Sequence, residues 1–122
     1  EFVRWISPIS NMRRTATRDT ELHGQTIHEG DEVLLLYGSA NRDERIFDDP
    51  DDFDVTRPNN HHVAFGFGTH FCLGASLARL ELRVLFEEMV RRFPSWRVVD
   101  PEPEIVPATF TRGYGAVHIE FA

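Results

Sequence analysis

Apolar and β-branched residues come in short runs through the first third of the chain, and polar turn residues separate these runs. In residues 13–40 the breaks fall at His23-Gly24 and at Glu29-Gly30, a pattern typical of three or four short strands joined by tight turns. Residues 1–5 instead have the spacing of an amphipathic helix. We expect this helix to end at Ser7-Pro8, because the residue before a proline is displaced from helical geometry.

The longest helical pattern begins at Gly74 and ends at Pro94, and residues 41–47 favour one or two further helical turns. Charged side chains four residues apart predict the pairs Glu87–Arg91 and Glu88–Arg92. A broad apolar stripe predicts neighbours on more than one side of the long helix. The stripe contains Ala78, Leu82, Leu85, Met89 and Phe93, widened by Leu77, Leu80 and Val84.

Residues 48–71 have no sustained period, and irregular segments beyond about 12–15 residues are uncommon in compact domains unless they are functional or disordered. This segment carries too many apolar side chains for a solvated linker, and we expect it to be packed: Phe53, Val55, Val63, Phe65 and Phe67. After the long helix, residues 96–100, 104–110 and 116–122 predict short strands between proline and glycine turns.

Composition narrows the class of protein. The 122 residues are 41% hydrophobic and 27% charged, which is an ordinary balance for one globular domain. The net charge of −7 argues against nucleic acid as the main partner. No apolar run reaches the ~18–20 residues of a membrane span, and nothing at the start is typical of a signal peptide. A single cysteine excludes an internal disulfide and fits a reducing, cytoplasmic compartment.

The first residues predict that the sequence is a piece of a longer protein. Glu1 is not a methionine, and "EFVRWISP" enters a helix without Ser, Thr, Asp or Asn as a cap. This interpretation affects every functional expectation that follows.

The single cysteine, Cys72, lies between a glycine-rich loop and the start of the long helix. The positive end of a helix dipole favours thiolate over thiol, and glycines let backbone amides approach the sulfur; here these are Gly66, Gly68 and Gly74. Such an environment suits a nucleophile or a soft metal ligand. The alternative is a buried structural thiol, since free cysteine is among the most buried residue types.

Phe65, Gly68, Cys72 and Gly74 form the pattern F-x-x-G-x-x-x-C-x-G, which "ASLAR" follows. This pattern resembles the cysteine-ligand motif of the cytochrome P450 family, the haem-thiolate monooxygenases. The resemblance implies haem b with the Cys72 thiolate as its axial iron ligand. It also implies an α+β fold over residues 1–122: the C-terminal part of the cytochrome P450 fold, with small β-sheets and the long helix after the cysteine loop. The N-terminal two-thirds of the longer protein from which this sequence comes, called the parent below, would be absent.

The same resemblance extends to a structural clamp. Glu1-Phe2-Val3-Arg4 matches the family's E-x-x-R helix, and "DPDDFDVTR" resembles the meander that supplies a third, cationic member. Arg57 is the expected third residue and Arg45 the second choice. The clamp would be structural, because a buried Glu held by two Arg side chains takes no part in the chemistry.

Contacts to haem are implied at further positions. Arg13 and His70 would contact the haem propionates, although a solvated strand charge is the alternative for Arg13. Phe65 would pack near the haem on the thiolate side, with other residues close beneath the ring. The full implied haem-binding set is Arg13, Phe65, Gly66, His70, Cys72, Leu73, Gly74 and Ala78.

The resemblance implies that the parent inserts one oxygen atom from O₂ into a lipophilic substrate of steroid, terpenoid or fatty-acid type, with a weak preference for a steroid or branched lipid. Electrons would come from a ferredoxin-type donor on the cysteine face, where Arg79 and Arg83 are candidate docking residues or ordinary solvated charges.

Ile9, Phe110 and Thr111 resemble substrate-contacting positions. The isolated chain is expected to be inactive, because the family's central oxygen-handling helix is missing from it.

Two other classes stay open at this point. One is a non-enzymatic, haem-free chain that associates with copies of itself through uncovered apolar surface. The other is a cysteine-nucleophile or zinc protein that uses Cys72 with His70, or with His61 and His62 in addition, although the usual zinc spacings are absent. The acidic run at residues 48–54 lacks the pattern of a calcium loop and predicts a solvated turn.

Overall fold

The computed structural model describes residues 1–121 and divides the chain into two compact units. The first unit is formed by Glu1–Ala64 together with Ala108–Arg112. The second is formed by Phe65–Pro107 and the residues from Gly113 on. Among the described residues no helix is long and apolar enough to cross a membrane.

The first unit contains two short helices and two antiparallel strand pairs. Its elements are α1 (Phe2–Ile6), β1 (Asn11–Thr15), β2 (Thr20–Leu22), β3 (Gln25–Ile27), β4 (Glu32–Leu36) and α2 (Tyr37–Ala40). Strand β1 pairs with β4 from Asn11↔Leu36 to Thr15↔Glu32, and β2 forms a hairpin with β3. The prediction of three or four short strands is therefore confirmed.

The predicted breaks lie where the backbone turns. His23 and Gly24 adopt φ values of 49° and 76°, and Gly30 adopts 90°, so each tight turn uses the left-handed region. Ser7 ends α1 in the same region, with φ 43°, and its backbone N–H donates to the carbonyl of Val3. The helix end predicted from Ser7-Pro8 is confirmed.

The predicted helical turns at residues 41–47 are wrong in position. The helical residues are the preceding Tyr37–Ala40, and residues 41–47 form turns. One bond of helical type is present, from the Phe47 N–H to the Asp43 carbonyl at 2.9 Å. Local propensity is outweighed here because Asn41 and Phe47 are both buried and their positions depend on tertiary contacts.

The interior of the first unit is unusually polar. Arg4 and Asn41 are 0% exposed, and Ser7, Phe47 and Ala64 are also buried. The Arg4 guanidinium lies 5.2 Å from the Phe47 ring centroid, so aromatic faces cover part of the buried charge. Buried polar groups are tolerated only where they are hydrogen-bonded, and those bonds therefore organise this unit.

The predicted packing of the irregular segment is confirmed only in part: Phe53 packs against α1 and Val63 and Phe65 are half-buried, but Val55 and Phe67 are largely exposed because nothing in the described chain covers them. The Phe53 ring meets Phe2 at 5.1 Å and Trp5 at 5.7 Å between centroids, both in edge-to-face geometry.

Asn41 is buried beside Arg4 and links several segments through both its side chain and its backbone carbonyl. Its Nδ2 donates to Ser7 Oγ at 2.8 Å, and its Oδ1 accepts the Val63 backbone N–H at 2.8 Å. Its carbonyl accepts Arg4 Nη1 at 2.7 Å. Asn41 therefore joins α1, the turn after α2 and the segment that leads to Ala64.

The second unit is built around one long helix. It contains a 3-10 turn at Gly68–His70, α3 (Ala75–Arg92), β5 (Trp96–Val98) and β6 (Ile119–Phe121). Strands β5 and β6 pair antiparallel, and the Phe93 and Phe121 rings stack with centroids 4.1 Å apart. The predictions of the long helix and of strands near residues 96–100 and 116–122 are confirmed.

Two predictions for this part of the chain are wrong. Residues 104–110 form no continuous strand: Ile105 makes an isolated bridge with Tyr114. The proline within this stretch removes a ladder donor, which favours bridges over a strand. In α3, Glu88 binds both Arg92 and Arg91, whereas Glu87 pairs with Arg83, so the predicted Glu87–Arg91 pair does not form.

Helix α3 exposes half of its predicted eight-residue apolar stripe: Leu77, Leu80, Val84 and Leu85 are exposed, and Ala78, Leu82, Met89 and Phe93 are half-buried. Ala75 is its buried residue, and the neighbours expected on several sides are not provided by the second unit. Leu77, Leu80, Val84, Leu85 and Val90 all remain about half exposed or more.

We expect Asn41→Ala to lower the free energy of unfolding by about 1–3 kcal/mol, because it leaves the part-buried Val63 N–H without its acceptor and removes the amide that donates to the buried Ser7 hydroxyl. Urea unfolding followed by tryptophan fluorescence measures this change, since Trp5 lies in the same unit. The matched control is the exposed Asn59→Ala. Equal unfolding midpoints for the two variants would contradict the role given to Asn41.

Candidate functional site

Backbone hydrogen bonds close the loop that carries Cys72. The Cys72 N–H donates to the Phe65 carbonyl at 2.8 Å, and the Phe71 N–H donates to the Gly68 carbonyl at 3.0 Å. Gly66 and Gly68 have φ values of 75° and 68°, a region that side chains with a Cβ rarely adopt. The glycines predicted at these two positions are therefore required by the backbone of the loop itself.

Gly74 differs from these two glycines. Its φ is −82°, and a Cβ added there would meet only the Cys72 Sγ, at an ordinary 3.9 Å. The described chain therefore leaves room for a side chain at position 74, and no protein atom of the described residues requires a glycine there.

The Cys72 thiol is exposed, which contradicts the alternative of a buried structural cysteine. Large apolar side chains around it are also exposed: Leu73 is 102% and Phe67 87% accessible, and Phe71 is half exposed. An open sulfur donor within an apolar surface fits a flat, lipophilic metal cofactor such as haem. The Cys72 sulfur is a soft metal ligand, and the loop provides one such sulfur.

The other predicted haem-side residues of the second unit lie on this loop and on the helix after it. His70 is exposed and ends the 3-10 turn, and Ala78 is half-buried in the first turn of α3, where its N–H donates to the Gly74 carbonyl. The half-buried Phe65 ring lies beneath the Arg79 guanidinium, whose Cζ is 4.6 Å from the ring centroid.

Arg13 belongs to the first unit, on β1. Its Nη1 forms an ion pair with Glu32 Oε1 on the facing strand at 2.7 Å, and both side chains are well exposed. Arg14 turns back, and its Nη1 donates to the Arg13 carbonyl. Within the described chain Arg13 is thus a cross-strand surface charge.

The three predicted substrate-side residues come together within the first unit. Ile9 forms an isolated antiparallel bridge with Thr111, and the Ser10 N–H donates to the Phe110 carbonyl at 2.7 Å. The Phe110 side chain is half exposed.

A second constellation surrounds the Glu1 carboxylate, which is 2% exposed. Arg4 donates to it twice, from Nε to Oε2 at 2.8 Å and from Nη2 to Oε1 at 2.6 Å. The Asp54 N–H donates at 3.1 Å, Arg57 Nε at 3.5 Å and Asn60 Nδ2 at 3.0 Å. The structure therefore brings Glu1, Arg4 and Arg57 together.

Arg57, not Arg45, is the third member of this cluster. Arg57 donates to the backbone carbonyls of Asp48, Asp49 and Asp52 as well as to Glu1. Arg45 is exposed and pairs with Asp43 at 2.6 Å instead. The acidic segment is thus held through its carbonyl oxygens, and its carboxylates are not the groups that bind Arg57.

Hydrogen bonds from Arg4 hold the pKa of the Glu1 carboxyl at about 2, well below its ordinary 4.5. Burial acts in the opposite direction, while the Asp54 amide and the Arg57 charge lower this pKa further. The same hydrogen bond raises the pKa of Arg4. Glu1 is therefore a permanently charged structural anion at neutral pH and is unsuited to proton transfer.

Two asparagines of this region were not singled out from the sequence. Asn60 donates to Glu1, and its own Oδ1 is buried without a hydrogen-bond partner. Asn41 supplies its carbonyl to Arg4. The sequence carries no spacing pattern that distinguishes a buried asparagine from an exposed one. Both residues could therefore be recognised only from their contacts in the structure.

The zinc alternative finds no support in the geometry of residues 1–121. No group of three His, Cys, Asp or Glu side chains comes together there in a way that would hold a metal ion. The acidic segment likewise offers no such cluster.

We expect Glu1→Gln to lower the free energy of unfolding at neutral pH by up to about 3 kcal/mol. The depressed pKa means that the carboxylate stabilises the folded state above pH 4.5, and that this contribution is lost as the pH falls toward 2. The difference between variant and wild type should shrink over the same window. Urea unfolding as a function of pH measures it.

The exposed Glu21→Gln is the matched control for this titration, because it removes a carboxylate from a strand surface. A Glu1→Gln difference that stays constant from neutral pH down to pH 2 would contradict the role of the Glu1 charge.

Comparisons with known proteins agree with these features. The family model "Cytochrome P450" matches residues 1–112. A steroid C26-monooxygenase of Mycolicibacterium smegmatis is 49% identical over 122 residues, which cover 99% of this chain and 30% of that protein. A linalool 8-monooxygenase of Pseudomonas putida is 54% identical over 96 residues, covering 76% of this chain and 24% of that protein.

The fold matches as well. The crystal structure of P450BioI in complex with an acyl carrier protein ligated to hexadec-9Z-enoic acid superposes with a TM-score of 0.94 at 41% identity, covering 98% of this chain and 31% of that one. The chain thus spans about 30% of the length of the relatives that it matches. Its small antiparallel sheets and long helix are the C-terminal part of the cytochrome P450 fold, and the chain belongs to the cytochrome P450 family.

Proposed function

We propose that this chain supplies the cysteine-ligand side of a haem-thiolate monooxygenase, which inserts one oxygen atom from O₂ into a lipophilic substrate. The observation that carries the proposal is the exposed Cys72 thiol, held on a hydrogen-bonded loop at the start of α3 in a chain of this family. In the whole protein this chain is the C-terminal portion, and the segments before it complete the pocket.

Cys72 Sγ is the atom that holds the haem iron. When bound, the haem supplies oxygen activation, to which a thiolate ligand contributes electron density that favours O–O cleavage. The loop keeps the sulfur in place through the Cys72 N–H bond to Phe65, and the exposed Leu73 provides apolar contact for the ring. Gly66, Gly74 and Ala78 have small side chains or none, and we propose that they allow the ring to approach the sulfur.

Arg13 and His70 are proposed as the contacts to the haem propionates. Arginine suits a carboxylate because its planar donors match the two oxygens. In the described chain Arg13 Nη1 pairs with Glu32 in an exposed ion pair, which leaves further guanidinium donors that could bind a propionate.

The substrate class follows from relatives and not from a pocket of this chain. The relatives include a steroid C26-monooxygenase and a linalool 8-monooxygenase, and the P450BioI complex carries a C16 fatty acyl group. All three are lipophilic, and we propose a steroid, terpenoid or fatty-acid-like substrate. Ile9, Phe110 and Thr111 would contribute one edge of its pocket.

Electrons are proposed to come from a ferredoxin-type donor that docks near the cysteine. Arg79 and Arg83 are exposed on α3 after Cys72 and would face acidic groups of such a donor.

The isolated 122-residue chain is proposed to be inactive, and a haem-free, self-associating chain is the second candidate. The exposed apolar stripe of α3 favours this candidate, because contiguous apolar surface of this kind is rare on monomers. In the whole protein the same stripe would be covered by the preceding segments.

Cys72→Ser in the full-length haem protein is expected to abolish the red-shifted CO band of a ferrous haem with thiolate ligation, since a serine oxygen cannot replace the sulfur. Absorption spectroscopy of the reduced, CO-bound protein measures this. The control is Thr69→Ala in the neighbouring 3-10 turn, which should keep the band. Retention of the thiolate band by Cys72→Ser would refute the proposed ligand.

For the isolated chain we expect oligomers that the paired substitutions Leu77→Glu and Leu80→Glu reduce, because they place charge on the exposed stripe of α3. Light scattering with sedimentation velocity reports the change. Glu81→Gln, which alters the same helix without adding charge to the stripe, is the control. A monomeric wild-type chain at all concentrations tested would remove this second candidate.

A further inference from the structure

Arg79 differs from the other arginines of α3 in what its guanidinium contacts. Arg83 pairs with Glu87 at 2.7 Å, and Arg91 and Arg92 both bind Glu88. Arg79, the fifth residue of the helix, lies instead over the face of the Phe65 ring, with Cζ 4.6 Å from the centroid. Arg79 therefore contacts the loop that carries Cys72, whereas the other three arginines form ion pairs on the surface of α3.

The ring that Arg79 covers belongs to the residue that closes the cysteine loop. The Phe65 carbonyl accepts the Cys72 N–H at 2.8 Å. Movement of Phe65 would therefore lengthen the bond that fixes the cysteine backbone. A guanidinium stacked on the ring resists this movement, and it does so from α3, the element that the loop enters.

The magnitude is modest but sufficient to measure. A cation over an aromatic face at an exposed site contributes about 0.5–1 kcal/mol, which corresponds to about a two- to fivefold change in a local opening equilibrium. Both partners lie within the second unit together with Cys72, so the effect is confined to the loop and the start of α3.

We propose that Arg79 is a positioning residue for the cysteine-ligand loop: by stacking on Phe65 it holds the carbonyl that binds the Cys72 N–H. The functional importance of this role rests on the proposed function, because the position of the loop matters to the reaction only if Cys72 is the iron ligand. It assigns Arg79 a role that is separate from contact with an electron donor.

The first experiment measures hydrogen exchange of the Cys72 amide in the full-length protein. Arg79→Gln should speed this exchange by about two- to fivefold. Arg83→Gln, which removes an exposed arginine one helical turn later, should leave it unchanged. Arg79→Lys keeps a cation near the ring and should restore part of the protection. In a Phe65→Leu background, Arg79→Gln should have no further effect.

The second experiment uses the reduced, CO-bound haem protein and follows the spontaneous loss of the thiolate band with time. Arg79→Gln should lose the band about two- to fivefold faster than wild type, and Arg83→Gln should match wild type. This spectroscopic change is not expected if Arg79 serves only to contact a donor protein, since no donor is present in the assay.

Three results would overturn the proposal. They are unchanged Cys72 exchange in Arg79→Gln, an equal change in Arg83→Gln, or an Arg79→Gln effect that persists undiminished in the Phe65→Leu background. A wild-type protein without any thiolate CO band would instead refute the proposed function. The exchange measurement would still decide the role of Arg79, so the two failures are distinguishable.

Discussion

The structure of the first unit depends on one buried ion cluster, in which the Arg4 guanidinium meets the Glu1 carboxylate. A fully buried arginine is tolerated only when every donor finds an acceptor, because an unpaired buried charge costs several kcal/mol. The remaining Arg4 donors bind the carbonyls of Asn41, Pro50 and Asp52. The irregular segment after α2 is therefore wrapped around α1 by its backbone, and this explains how a stretch without regular elements keeps a defined path.

The second unit differs from the first, because the sulfur that we propose as the iron ligand is exposed instead of enclosed. The loop before α3 is closed by backbone hydrogen bonds and two glycines in the left-handed region, and it leaves the Cys72 thiol exposed. Exposed apolar side chains such as Leu73 and Phe67 surround that thiol at a free-energy cost that a partner surface would remove. A hydrogen-bonded loop with an exposed sulfur and an apolar surface around it is compatible with the haem ligation proposed for Cys72.

Elements with strong local signals could be predicted from the sequence. The turns at His23-Gly24 and Gly30, the end of α1 at Ser7 and the span of α3 all follow from residues with restricted or permissive backbones, and so does the resemblance carried by Phe65, Gly68 and Cys72. Predictions failed where several local partners compete. Glu88 binds both terminal arginines of α3, which leaves Glu87 to Arg83, and such a choice depends on rotamers that spacing does not specify.

The sequence by itself therefore determined the short strands and turns of the first unit, the long helix, the position of the cysteine at the start of that helix and the family, because these depend on local backbone preferences and on short motifs. The tertiary structure distinguished Arg57, the first choice implied by the resemblance, from Arg45 as the third member of the Glu1 cluster. It alone decided that Asn41 and Asn60 belong to that region and that Arg79 lies over Phe65. Each of these contacts joins residues that are distant along the chain or lie on different elements. Their geometry depends on how the backbone is folded in space, and residue type and spacing do not encode it locally.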